Sequence, residues 1–342
     1  MTPRLSIILP VYDGLAYLGE SLDSVLSQTL PDFEVIVWDD GSHDDPTALV
    51  SARRDPRVRF FRSEINRGLF PTLNLALERA RGELLRFWSQ DDRMKPDCLA
   101  REMAFWARHP DIAMSYCQRD LIDQDGRVIL RAPWDPTPEV VPPWLSAQIS
   151  YYHNCMPGSI STVTVRKRVV LDVGRFRPLR VSGDFEMWTR IGADHPIGFV
   201  RESLVELRSH PAQLSRRAEA GLEFVRENRP IFAELLSRLP GELQRYARRF
   251  HRRRAVWYVH YTIRAALSGD LALARAALRE VAREGNVWAL SAEWAATLNG
   301  RLFAPAARYL EPFVRDDGSA GRRPWHPDAA PASQAVAGEA AP

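Results

Sequence analysis

From residue 5 to about residue 118 the chain alternates short apolar runs with longer helical stretches, and that rhythm leaves few folds open. The apolar runs cover 5–12, 33–38, 58–62, 83–88 and 112–117, all of strand length. The stretches between them, 15–28, 46–53, 71–81 and 96–109, read as helices. Pro46, Pro71 and Pro96 stand where a proline opens a helix, because the first turn has no partner for the missing N–H. The alternation predicts an α/β domain, a mixed and mainly parallel sheet with helices on both faces. Asp123-Gln124-Asp125-Gly126, lying between two apolar runs, is a hairpin signal and predicts an antiparallel addition.

Residues 133–160 read as an irregular loop rich in proline and aromatic residues, among them Trp134, Trp144, Tyr151 and Tyr152. A strand at 161–165, a helix at 184–191 and a strand at 204–209 complete the core. After Pro211 the pattern is helical, near 212–237, 242–267, 270–284, 287–298 and 303–314. The expected division is an α/β domain over 1–215 and a helical extension over 216–315. The Ala/Pro/Gly-rich tail, 316–342, is expected to be disordered.

With 342 residues, 45% hydrophobic and 26% charged, the composition is that of a soluble globular protein. The net charge of +3 is too small to make nucleic acid the expected partner. Cys98, Cys117 and Cys155 form no CxxC, which suits a reducing cytoplasm and excludes a disulfide framework or a cysteine-built zinc site. The run at 5–12 superficially resembles a signal peptide, but it is short, has no small-residue cleavage site and turns polar at Asp13-Gly14. A buried first strand explains it better, and no run of about 18 apolar residues follows.

The chemistry sits at strand ends. Asp91-Asp92 closes the run 83–90 and places hard oxygen ligands where open α/β sheets bind their ligands. Such carboxylates suit Mg²⁺ or Mn²⁺ shared with substrate phosphates; the bland alternative is a strand-to-helix turn. Asp39-Asp40-Gly41-Ser42 ends the second run, and Asp40 can accept a hydrogen bond from the imide N–H of uracil or thymine. A turn with a helix cap is the alternative there. Neither GxGxxG nor GxxxxGK[ST] is present, so the glycines of a dinucleotide site and of a P-loop are both missing.

Pro10-Val11-Tyr12, Asp39-Asp40-Gly41-Ser42, Asn66-Arg67-Gly68-Leu69, Asn74 before Ala80-Arg81-Gly82-Glu83, Ser89-Gln90-Asp91-Asp92, Gly183-Asp184-Phe185-Glu186-Met187-Trp188 and Arg208-Ser209-His210 follow in order. Together they resemble the family-two inverting glycosyltransferases of the GT-A fold, over roughly 4–215. The resemblance implies a nucleotide-diphosphate sugar donor, most simply UDP-linked, and a Mn²⁺ or Mg²⁺ cofactor. It implies that Pro10, Val11 and Tyr12 line the nucleoside pocket and that Asp40 holds the uracil N–H. Asp91 would approach the ribose or the metal, Asp92 would ligate the metal, and His210 would contact the metal or the diphosphate. Asp184 would be the base that deprotonates the acceptor hydroxyl, and Met156-Pro157-Gly158-Ser159 would border sugar and acceptor. One carboxylate acting without a second as nucleophile implies inversion by direct displacement. Glu186 reads as structural or acceptor-facing.

The resemblance also implies a glycan or lipid-linked acceptor in bacterial surface-glycan synthesis, and a cytoplasmic protein. Two positions depart from the family pattern. Ser89 stands where an acidic residue is common, and Leu73 where a basic one is, leaving Arg67 and Arg86 as candidates to balance the diphosphate. Arg245, Arg248, Arg249, Arg252, Arg253 and Arg254 beside Trp257, Tyr258 and Tyr261 suit a peripheral membrane contact; packing of an arginine face on the α/β domain is the plainer reading. The departures motivate a second functional reading, a non-catalytic binding or scaffold subunit of the same fold. A sugar-1-phosphate nucleotidyltransferase would need a basic glycine-rich loop after the first strand, which Pro10–Gly14 does not supply.

Overall fold

The computed structural model describes residues 3–132, 135, 137–214, 218–244 and 247–297. Four parallel strands form one side of the sheet: β1 (Leu5–Val11), β2 (Phe33–Asp39), β3 (Val58–Arg62) and β4 (Leu84–Phe87), in the order β3-β2-β1-β4. Beyond β4 the order continues with β9 (Val163–Arg166), β6 (Met114–Ile122), β10 (Ile197–Arg208) and β5 (Arg93–Met94). β9 is antiparallel to both β4 and β6, while β6 and β10 are parallel to each other. β7 (Val128–Leu130) pairs with β6 through the predicted hairpin turn, where the Gly126 N–H donates to Asp123 O, and β8 (Val140–Val141) pairs with β10.

The two faces carry separate apolar layers. Leu5, Ile7, Leu9 and Val11 of β1 point one way, toward α1 (Leu15–Leu26), α2 (Thr47–Ser51) and α4 (Cys98–Arg108). Ile8 points the other way, toward α3 (Leu69–Arg79), α5 (Pro143–His153), α6 (Lys167–Asp172), α7 (Gly183–Asp194) and α8 (Ala218–Arg238). That alternation is the period-two pleat of a strand buried on both sides. In α1 the buried residues Leu18, Ser21, Leu22 and Val25 recur at helical spacing and fix which face it presents.

One expectation fails. Within 133–160 the segment Pro143–His153 is a helix, α5. Pro143 sits at its first position, as the sequence allows. The helix is buried nearly all round, polar Ser146, Gln148 and Ser150 included, so no amphipathic stripe marks it. Leu145, Ala147, Ile149 and Tyr151 alternate at a spacing of two and mimic a strand instead. Tyr151 is a core residue, and Trp144 and Tyr152 pack against the same core; Trp134 lies outside the described residues.

The C-terminal helices begin with α8, whose Ile231, Phe232 and Leu235 join the α3–α5–α7 layer. α9 (Gly241–Gln244), α10 (Ala247–Leu267), α11 (Leu271–Glu284) and α12 (Val287–Thr297) follow, and Ala255, Val256, Val259, Val281 and Leu290 build a small core of their own. Arg254 donates to the Tyr151 carbonyl at 2.8 Å and lies 3.9 Å over the Phe232 ring, so this arginine serves packing. The side chains of Arg245, Arg248, Arg249, Arg252, Arg253 and Trp257, and everything after 297, lie outside the described residues. No helix among the described residues is long and apolar enough to cross a membrane.

At the centre of the sheet Arg86 of β4 is fully buried and paired with the equally buried Glu102 of α4. Its other N–H groups reach the carbonyls of Thr162 at 3.1 Å and Ser161 at 2.8 Å. Burial alone would lower the guanidinium pKa; the Glu102 carboxylate overrides it and keeps Arg86 charged. Arg86 is therefore unavailable to a diphosphate. Removing one partner of such a pair strands the other charge, so Arg86→Leu is expected to cost about 3–5 kcal/mol, read as a lowered midpoint in urea unfolding.

Candidate active site

The site grows from the place where β1 and β4 part. Their ladder ends at Ile8 opposite Phe87, with one further bond from the Trp88 N–H to Ile8 O. β1 stays on β2 as far as Val11 opposite Asp39. Pro10 therefore falls where the β4 side of β1 has no strand, and its missing N–H costs no ladder bond. A crevice at the C-terminal ends of diverging parallel strands is where such sheets take ligands.

Gln90 reaches across this gap to Tyr12 as a strand would. Its Oε1 accepts the Tyr12 N–H at 2.8 Å, and its Nε2 donates to the Tyr12 carbonyl at 3.0 Å. Gly14 makes room for it, since a Cβ there would stand 2.2 Å from Gln90 Oε1. The second acidic turn locks the same loop from the other side. The Asp13 N–H donates to Ser42 Oγ at 2.9 Å, and the Leu15 N–H to Asp44 Oδ2 at 3.0 Å.

Asp39 and Asp40 divide their tasks. Asp39 is fully buried; it accepts from the Ser42 N–H and hydroxyl, and its Oδ2 lies 3.1 Å from Arg62 Nε. Asp40 is buried too, and its carboxylate accepts the Arg67 N–H at 3.0 Å and the Gly68 N–H at 2.8 Å. It thereby holds the entry to α3, where Gly68 takes φ +91°, a left-handed value that favours glycine. The Arg67 side chain is exposed beside this clamp, whereas Leu73 is core. Asn74 serves structure: its side chain exchanges two hydrogen bonds with the Phe176 backbone.

At the end of β4 the two adjacent carboxylates also separate. Asp91 Oδ2 lies 3.0 Å from His210 Nε2, and Ser89 donates to Asp91 Oδ1. Asp92 turns inward, where Oδ1 accepts the Arg208 N–H at 2.9 Å and Oδ2 accepts the Ser161 hydroxyl at 2.5 Å. Burial, helped by the neighbouring Asp91 charge, pushes its carboxyl up to about 8. Arg208 braces this corner: it donates to Asp91 O at 2.9 Å, pairs with Glu20 and lies 4.7 Å over the Tyr17 ring. Tyr17 in turn contacts the His210 ring at 4.8 Å.

Asp184 stands in the first turn of α7, where its Oδ1 accepts the Phe185 N–H at 2.7 Å. Burial pushes its carboxyl up to about 6 despite that bond, with a smaller contribution from the Glu227 charge. Glu186 is structural, paired with Arg190 and Arg177. Among the described residues no direct contact joins Asp184 to Asp91 or His210. The 155–161 segment spans them, with Cys155 electrostatically coupled to Asp184 and Ser161 bonded to Asp92.

Among the described residues no group of three or more His, Cys, Asp and Glu side chains converges as a metal site. Asp91 and His210 nevertheless offer one oxygen and one nitrogen side by side, a donor set suited to an octahedral ion that takes its other ligands from phosphate and water. Asp92 could join only by adding an ion to oxygens already bonded. The sequence reading missed Gln90, Ser161 and Arg208 as builders of the site. Gln90 and Arg208 stand inside the motifs Ser89–Asp92 and Arg208–His210, which is the signal that could have found them; Ser161 carries none.

Residues 6–171 match the family described as glycosyl transferase family 2. This part of the chain belongs to that family. Asp184 and His210 lie beyond the matched stretch. An uncharacterized glycosyltransferase of Rickettsia typhi is 28% identical over 228 residues, 65% of this chain and 69% of the relative. Chondroitin synthase of Escherichia coli is 32% identical over 129 residues, covering 37% of this chain but only 19% of that enzyme. Among solved structures, S. aureus TarS 1–349 in complex with UDP-GlcNAc aligns over 82% of this chain and 92% of its own, with a TM-score of 0.54 and 19% identity. The mannosyltransferase PcManGT of Pyrobaculum calidifontis, in complex with GDP-Man and Mn²⁺, aligns over 90% of this chain and 82% of its own, at 0.53 and 17%. At these identities the likeness is one of fold, and the fold is the GT-A type. The matched part of the chain is that of a glycosyltransferase.

The Gln90 bridge has a direct consequence. Gln90→Ala is expected to cost about 1 kcal/mol of stability and to raise hydrogen exchange at the Tyr12 amide about tenfold, measured by NMR.

Proposed function

We propose that the protein is a metal-dependent inverting glycosyltransferase that moves a sugar from a UDP-linked donor to a hydroxyl of a glycan or lipid-linked acceptor in bacterial surface-glycan synthesis. The observation that carries the reading is the Asp91–His210 pair set at the β4 end beside the Tyr12 loop. Asp91 and His210 would hold Mn²⁺ or Mg²⁺, and the ion when bound would offset the charge that builds on the leaving diphosphate. Pro10, Val11 and Tyr12 would flank the nucleoside. Asp40 would accept the uracil N–H with a lone pair its backbone bonds leave over. The solved structures of the same fold bound to UDP-GlcNAc and to GDP-Man with Mn²⁺ support a nucleotide-sugar donor and a divalent ion.

Asp184 acts as the base. Its Oδ1 is anchored by the Phe185 N–H, which leaves Oδ2 to take the acceptor proton. The acceptor oxygen bonds to the anomeric carbon as the bond from that carbon to the phosphate oxygen breaks. The proton goes to Asp184 and the electron pair leaves on the diphosphate. With one displacement and no enzyme nucleophile, the anomeric configuration inverts.

Calorimetric titration with UDP, TDP, GDP and CDP, each with and without Mn²⁺, tests the donor site. Metal-dependent binding of UDP or TDP is expected; no nucleotide binding by folded protein would leave a non-catalytic scaffold as the better reading. Asp184→Asn is expected to lower kcat by about 10²–10⁴ while UDP binding stays within a factor of about two. A base must be deprotonated to act, so with a carboxyl near 6 the rate should rise with pH through about 6 and level off above it. A flat profile between about pH 5 and 8 would remove Asp184 from that role.

A further inference from the structure

Helix α7 begins without a side-chain cap of its own. Ser182 occupies the cap position with φ −114° and ψ 17°, yet its hydroxyl makes no capping bond. A carboxylate from α8 does the work instead. Glu227 Oε1 accepts the Arg180 N–H at 2.6 Å, and Oε2 accepts the Val181 and Ser182 N–H groups at 3.0 Å and 2.8 Å. Three successive backbone donors on one half-buried carboxylate fix the path into the helix, and the negative charge suits the positive end of the helix dipole. Two residues past Ser182 comes Asp184.

We propose that Glu227 is a positioning residue for sugar transfer: it holds residues 180–182 so that α7 presents the Asp184 carboxylate to the acceptor. The inference rests on the reading of Asp184 as the base, and it makes the C-terminal helices part of the catalytic apparatus. The electrostatic setting agrees. Burial is the main reason the Asp184 carboxyl titrates high, and the Glu227 charge adds to it. Cys155, the other titratable neighbour, is a thiol pushed well up by burial and stays neutral, with Arg119 beyond it. The cations on α8 are engaged elsewhere, Arg226 with Glu223 and Glu280, and Arg229 with Glu280 and Glu284.

The test uses the full chain and needs no acceptor. Carboxyl titrations are followed by ¹³C NMR, with the Asp184 resonance assigned from Asp184→Asn, and amide exchange is followed over 180–185. Glu227→Gln keeps the shape and removes the charge; its Asp184 midpoint should fall by about half a pH unit, with exchange over 180–182 about tenfold faster. Glu227→Asp keeps the charge and loses reach, so exchange should rise while the midpoint stays near that of the unmodified protein. Unchanged midpoint and unchanged exchange in both variants would overturn the role of Glu227 while leaving Asp184 as base. An Asp184 midpoint in the ordinary carboxylate range in the unmodified protein would instead undercut the base reading itself.

Discussion

The buried Arg86–Glu102 pair is the constraint on which the site depends. An ion pair with no exposed surface stabilises little by itself, because desolvation offsets most of the attraction. Its value here is geometric. Arg86 also donates from its two terminal nitrogens to the carbonyls of Thr162 and Ser161, fixing the short 3₁₀ turn Ile160–Thr162 against the centre of the sheet. Ser161 then bonds Asp92, and Asp92 takes the Arg208 N–H, which sets the end of β10 just before His210. A chain of charge-assisted bonds thus runs from α4, through the sheet, to the pair expected to meet the metal.

That chain also explains why two neighbouring carboxylates behave differently. Asp92 is inside it, with burial and the Asp91 charge both opposing its ionisation. Asp91 stands at the outer end of it, against an imidazole and a serine hydroxyl. Sequence places them side by side, and only the turn after β4 decides that one faces Ser161 and Arg208 and the other His210.

The α/β half of the fold was legible because its strands are buried on both faces and so read as unbroken apolar runs, 5–12 and 33–38 most clearly. Two-residue strands such as β5 and β8 are too short to leave a pattern, and α5 hid because its burial is nearly isotropic. The motif residues Asp40, Asp91, Asp184 and His210 were legible as types and as spacing. What could not be read was which polar side chains stand in for backbone. Gln90 completes a strand, Asp40 holds a loop, and Glu227 acts from a helix far along the chain. Each depends on long-range placement that no local pattern encodes.

Pro10 carries a last consequence. Any other residue at this fork in the sheet would push an amide hydrogen into the crevice with no strand to receive it, and bound water would collect on it. Proline presents a flat, dry edge instead. Under the proposed reading, the floor beneath a base would be indifferent to hydrogen-bonding pattern, and discrimination among bases would fall to Asp40.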